Sequence, residues 1–176
     1  MREDLDRRIR ETIRDIPDFP KPGVVFKDIT TVLRDGPLFA DITRYFRDRY
    51  QDQDIDRIVG IESRGFIFGA ALAHELEVGL TLVRKPGKLP FKTRGVDYAL
   101  EYGTDRVEMH VDALEVGHRV VIVDDLLATG GTCGATIELV RQLDAEIVEV
   151  AFLIELGFLE GRQKLAETPA HAITTY

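Results

Sequence analysis

The sequence predicts an α/β fold, a central and mostly parallel sheet flanked by helices. Three observations predict it. The run VVIV at 120–123 is continuously apolar, as strands buried on both faces of a parallel sheet are. Strand-like and helix-like patterns alternate from residue 55 onward. The two stretches richest in chemistry, ESRG (62–65) and DDLLATGGT (124–132), each follow a strand directly, where such sheets gather ligands.

The elements follow in order. Leu5, Ile9, Ile13 and Ile16 recur at helical spacing, so residues 3–15 read as an amphipathic helix stopped by Pro17. DFPKPGVVFKD (18–28) carries two prolines and a glycine and reads as an irregular exposed loop. Leu38, Phe39, Ile42, Tyr45 and Phe46 mark a second helix, with Pro37 suited to its first turn. Next come a strand at 55–61, a helix at 66–76 and a strand at 80–84. Two alternating runs, 96–102 and 106–112, predict an antiparallel hairpin around Gly103-Thr104-Asp105. A strand at 119–125, a helix at 132–143 and a strand at 146–156 complete the reading.

A chain of 176 residues is expected to form one domain. Apolar residues at 44% and charged residues at 31% exclude a disordered composition. No apolar stretch is long enough to span a bilayer. The mixed-charge N-terminus fits neither a secretory signal nor a transit peptide, and the single Cys133 excludes an internal disulfide, which agrees with a cytoplasmic location. A net charge of -8 argues against non-specific binding to nucleic acid or an anionic membrane. One window reverses that charge: RKPGKLPFKTR holds Arg84, Lys85, Lys88, Lys92 and Arg94 with no acid. It reads as a solvated basic loop or as a mobile one that gathers an anionic ligand.

A glycine pair after a strand, with Thr132 opening a helix, can wrap backbone N–H groups around a phosphate, and the helix N-terminus favours the negative charge. The Walker pattern fails because no lysine follows these glycines, and Gly130, Gly131 and Gly134 lack the spacing of the dinucleotide pattern. Asp124 and Asp125 would repel a phosphate, so they suit hydroxyls or a divalent cation that neutralises other phosphates. A ribose 5-phosphate meets both demands. The four histidines have no metal-site spacing, and Cys133 reads as a small packing residue.

This segment resembles the phosphoribosyl pyrophosphate signature of type I phosphoribosyltransferases. DFPKPGVVFKDIT (18–30), GIESRGFIFGAALA (60–73), VRKPGKLP (83–90) and YALEYG (98–103) all resemble the adenine phosphoribosyltransferase family, in its order and spacing, from about Ile13 to the C-terminus. The resemblance implies the type I fold, with a small N-terminal hood (about 1–34), a core (about 35–176) and a flexible loop or hairpin. It implies transfer of a ribosyl phosphate from phosphoribosyl pyrophosphate to adenine, giving AMP and pyrophosphate, with Mg²⁺ carried by the substrate and reached by Asp124 and Asp125 at most through water. It also implies a homodimer.

By the same resemblance, Ala128, Thr129, Gly130, Gly131 and Thr132 hold the 5-phosphate, and Asp124 and Asp125 hold the ribose. Arg64 and Lys88 meet the pyrophosphate, and Arg84 acts across the dimer interface. Phe26 stacks on the purine while backbone groups of Val25 and Lys27 read its edge; a C=O and an N–H suffice for adenine's adjacent donor and acceptor. Glu101 becomes the acid–base residue and Tyr102 part of the closing loop. Two other readings stay open: a regulator that binds phosphoribosyl pyrophosphate without chemistry, and a transferase for another nucleobase.

Overall fold

The structure is a computed structural model that describes residues 2–99 and 103–176. The backbone groups into two compact units, residues 2–46 and 47–176.

In the first unit, helix α1 (Arg2–Thr12) buries Leu5 and Ile9. Strand β1 (Arg14–Pro17) pairs antiparallel with β2 (Val25–Asp28), placing Arg14 opposite Asp28 and Ile16 opposite Phe26. This corrects the expectation of a helix through residue 15 and an irregular loop over 18–28. The helix stops at Thr12, and the last four residues of that loop are strand. In a two-stranded ribbon both strands are edges, so Pro17 ends β1 without breaking a sheet interior. Side chains then fix the register: Arg14 donates to Asp28 Oδ2 from Nε and Nη2, at 3.0 and 2.6 Å, and Lys27 Nζ lies 2.7 Å from Asp15 Oδ1. Hydrogen bonds from Arg14 and from the Thr30 N–H pull the Asp28 pKa down to about 2. A short helix α2 (Thr30–Leu33), which the sequence pattern did not indicate, buries Val32. Helix α3 (Gly36–Tyr50) follows, with the Asp35 side chain accepting from the Leu38 N–H at 3.0 Å.

The second unit runs β3 (Arg57–Ile61), α4 (Gly65–Glu75), β4 (Gly79–Val83), β5 (Thr93–Ala99), β6 (Thr104–His110), β7 (Arg119–Leu127), α5 (Gly131–Arg141), β8 (Glu146–Glu155), two 3-10 turns (Gly157–Leu159 and Gly161–Lys164) and β9 (Ala170–Thr175). Five strands form one parallel sheet in the order β4-β3-β7-β8-β9. β5 and β6 form the expected antiparallel hairpin, with Val96 opposite Val107, but both strands start earlier than expected, and Thr104 and Asp105, expected in the turn, pair with Ala99 and Tyr98 as strand. The edge strand β9 was absent from the sequence reading. Val120 to Val123 are fully buried at the sheet centre, which is why that run carries no alternation. Val59, Ile61, Val83, Ile122 and Phe152 share the core with Val107 and Met109 of the hairpin.

One register decides where chemistry can occur. Gly60 of β3 lies beside Val123 of β7 in parallel pairing. ESRG, which leaves β3, therefore emerges beside the DDLL end of β7, two residues longer than the sequence indicates, from which the ATGGT turn departs.

Candidate active site

Helix α4 begins directly against the end of β7. A Cβ on Gly65 would stand 2.6 Å from Val123 O and 2.9 Å from Asp124 Oδ1, so the glycine of ESRG is the residue that lets the two segments touch. Arg64, just before it, places Nε 2.8 Å from Asp125 Oδ2. That is ion-pair distance with the N–H poorly aimed, and the buried Oδ2 makes no hydrogen bond. Asp124 Oδ1 accepts from the Asp125 N–H at 2.8 Å.

Burial, with the adjacent Asp125 charge, raises the Asp124 pKa, and burial raises that of Asp125 despite the opposing charge of Arg64. Carboxylates in this state gain from a ligand that brings hydroxyl donors or a cation.

Beyond Leu127 the chain turns through Ala128 and Thr129 to Gly130, whose φ of +77° is the left-handed conformation that glycine adopts without strain. A Cβ there would meet Gly161 O at 2.2 Å, and one on Gly161 would meet Ala128 O at the same distance. Backbone packs on backbone. Gly130 provides no side-chain cap to α5, so the first-turn N–H groups at Gly131 and Thr132 face an anion-binding position. Asp124, Ala128, Thr129, Gly130, Gly131 and Thr132 line a concavity of about 90 Å³. Cys133 lies beneath it, 4% exposed, and burial together with the Asp124 charge pushes its thiol pKa up. It packs rather than reacts.

The basic window divides by partner. Glu62 of ESRG accepts from Arg84 Nη2 at 3.1 Å and Nε at 3.2 Å, and from the Lys85 N–H at 2.8 Å. Burial disfavours the Glu62 carboxylate, but these bonds outweigh it and hold its pKa below the ordinary value. Lys85 pairs with Asp105, and Arg94 donates to Gln142 O at 2.7 Å. Lys88 and Lys92 are exposed. Arg84 is thus held within its own chain.

Val25, Phe26 and Lys27 lie along β2, in the first unit. Phe26 meets Phe19 edge-on at 5.2 Å between ring centres, and the Val25 side chain is half exposed. Glu101 and Tyr102 fall outside the described residues. Among the described residues, the sequence reading missed Gly161, which buttresses the glycine turn, and Tyr98, whose hydroxyl reaches Thr132. No local motif surrounds Gly161 to announce it.

The comparisons with known proteins agree with this geometry. Residues 28–173 match the phosphoribosyl transferase domain family. The adenine phosphoribosyltransferase of Syntrophotalea carbinolica is 61% identical over 157 residues, 89% of this chain and 92% of that protein. The crystal structure of adenine phosphoribosyltransferase from Thermoanaerobacter pseudethanolicus superposes with a TM-score of 0.93 at 48% identity, covering 97% of this chain and 99% of that one. That of the Saccharomyces cerevisiae enzyme, complexed with an imino-altritol bisphosphate and adenine, gives 0.92 at 39% identity over 97% and 99% of the two chains. The chain belongs to the phosphoribosyl transferase family, and within it to the adenine phosphoribosyltransferases.

Proposed function

We propose a division of labour among the residues at the ends of β3 and β7. The chain transfers the 5-phosphoribosyl group of phosphoribosyl pyrophosphate to adenine, forming AMP and pyrophosphate. The observation that carries the assignment is the join of two carboxylates, Asp124 and Asp125, to an uncapped helix start at Gly130. One half suits hydroxyls, the other a phosphate.

In this reading the 5-phosphate takes the N–H groups from Ala128 to Thr132, and the ribose hydroxyls donate to Asp124 and Asp125. As the C1–O bond breaks, its electron pair leaves with pyrophosphate, and the N9 lone pair of adenine forms the new C1–N9 bond. Arg64 and Lys88 stabilise the charge gathering on pyrophosphate. The proton released from the purine passes to Glu101, with Tyr102 closing over the reaction. Phe26 stacks on the base, and Val25 and Lys27 read its edge through backbone groups. Hypoxanthine presents the opposite donor pattern and leaves those groups unpaired, a basis for strong discrimination.

Mg²⁺ fits the donor set as a companion of the substrate. Among the described residues no three His, Cys, Asp or Glu side chains form a metal cage, whereas Asp124, which has no cation within ion-pair distance of its own, lines the concavity at the glycine turn, and Asp125 Oδ2 already faces Arg64. Asp124 and Asp125 would hold the ion through water, and it would neutralise pyrophosphate charge. The chain is assigned to the cytoplasm as a homodimer, with Arg84 exchanging its Glu62 partner for pyrophosphate in the neighbouring site. Among the described residues no helix is long and apolar enough to cross a membrane.

The test is a base panel. With Mg²⁺ and phosphoribosyl pyrophosphate, adenine yields AMP and pyrophosphate, while hypoxanthine, guanine, xanthine, uracil and orotate yield little. Absence of product from adenine overturns the reading, and binding without turnover favours a regulator instead.

A further inference from the structure

One hydroxyl joins the basic turn, the hairpin and the glycine turn. Tyr98 of β5 lays its ring over the start of α5, where a Cβ on Gly131 would stand 3.1 Å from Tyr98 Cδ2. Its hydroxyl lies 3.0 Å from Thr132 Oγ1, 3.0 Å from Asp105 Oδ2 and 2.7 Å from Lys85 Nζ. Lys85 also pairs with Asp105 and sits 5.2 Å from the centre of the Tyr98 ring. Tyr98 itself lines a separate cavity of about 420 Å³ beside α5, bordered by Gly131 but not by Thr132. Thr132 lines the small concavity at the glycine turn.

Proton counting fixes the direction of each bond. A phenol hydroxyl has one proton and two lone pairs, an ammonium only donates, and a carboxylate only accepts. Tyr98 therefore accepts from Lys85 and donates to Asp105, and its remaining lone pair takes the Thr132 proton. A phosphate at the glycine turn needs that proton. When Thr132 turns it towards the phosphate, the Thr132 oxygen becomes free to accept, and the Tyr98 proton can swing to it from Asp105. Asp105 keeps its charge partner in Lys85 throughout.

We propose that Tyr98 is a positioning residue for the 5-phosphate, acting through Thr132 as a switchable hydrogen-bond partner, with Asp105, held by Lys85, as the alternative acceptor to which the Tyr98 O–H points when Thr132 does not need it. The proposal rests on the reading of residues 128–132 as the phosphate cradle. It gives the hairpin strand a stake in substrate affinity separate from any role of Glu101.

The test titrates ribose 5-phosphate by calorimetry into the wild-type chain, Tyr98→Phe, Thr132→Val and the double variant, and measures KM and kcat for transfer. Phenylalanine keeps the ring over Gly131 and removes only the hydroxyl. Each single variant is expected to weaken ribose 5-phosphate about three- to tenfold, the range of one hydrogen bond, and the double variant to bind no worse than Thr132→Val alone. KM for phosphoribosyl pyrophosphate should rise in Tyr98→Phe, with kcat within about twofold and KM for adenine unmoved. Wild-type or tighter binding by Tyr98→Phe, or losses that add in the double variant, overturns the proposal while leaving the cradle intact. Full affinity in Thr132→Val instead removes the Thr132 arm of the cradle, and the proposal with it.

Discussion

Arg64 Nε stands 2.8 Å from Asp125 Oδ2, seating the cation of the β3 turn on the carboxylate at the end of β7. Asp125 lies in β7 and Arg64 in the turn that leaves the neighbouring parallel strand β3, so the pair ties the proposed pyrophosphate side of the site to its ribose side. Asp125 is buried and Arg64 about one-third exposed, which leaves one end of the guanidinium in reach of a ligand.

Arg64→Ala removes the charge that offsets a buried carboxylate. Breaking a fully buried pair costs about 3–5 kcal/mol; with Arg64 at 35% exposure the expectation is reduced to about 1–2 kcal/mol. The catalytic effect should be larger, a fall in kcat/KM of about 100-fold or more. Denaturant unfolding and steady-state kinetics check the two separately, and unchanged kcat/KM would remove Arg64 from the site.

Asp124→Asn should stabilise the protein and disable it. Burial and the Asp125 charge raise the Asp124 pKa on folding, so the folded state binds protons more tightly than the unfolded one. Stability from this group is then lost as pH rises from the unfolded pKa, about 3.9, through the folded value. The variant lacks that loss. Its unfolding midpoint should exceed wild type by about 2–4 °C near neutrality, the shift from ~1 kcal/mol in a chain of this size, with the gap closing in acid. A lower midpoint at pH 7 would contradict this account.

Gly161→Ala tests the floor of the glycine turn. A methyl group there would press to 2.2 Å from Ala128 O, so one backbone segment must retreat, at about 1–3 kcal/mol for an overpacked position. Ribose 5-phosphate affinity should fall although residue 161 belongs to no recognised motif. Calorimetric titration reads the affinity, and wild-type binding would show that the cradle does not depend on this contact.

Tyr50→Phe separates stability from catalysis. Tyr50 OH donates to Glu149 Oε2 at 2.6 Å, beside Arg49 at the same distance. Burial disfavours the Glu149 carboxylate, yet these partners lower its pKa, so their stabilisation is present above the unfolded pKa and is lost as pH falls through the folded one. The variant should lose about 1–3 kcal/mol near pH 7, approach wild type in acid and retain kcat/KM. Urea unfolding across pH would show the convergence.

The central architecture was legible because VVIV, the hairpin alternation and the helix periods are signals carried by neighbouring residues. β1 and β2 were hidden because prolines 17, 20 and 22 mark turns whether or not a ribbon lies between them, and its register is set by pairs such as Arg14 with Asp28. β9 was missed because AHAITT is short and opens on two alanines and a histidine, which have little strand preference of their own, and it becomes a strand by docking on β8. ESRG and DDLLATGGT were found as motifs, but that Arg64 meets Asp125, and that Gly65 makes room for Asp124, depends on a sheet register between residues some 60 positions apart. Tyr98 opens YALEYG, yet nothing in that stretch distinguished it from any other residue of an alternating strand.

The interlock of Gly130 with Gly161 also has a meaning for synthesis on the ribosome. A nascent chain that has emerged only as far as Thr132 carries the whole anion motif yet lacks the backbone that braces it from below. The cradle cannot be finished until the segment around Gly161 has also been made and has docked, so substrate can reward folding only after a stretch of chain well beyond the motif has joined it.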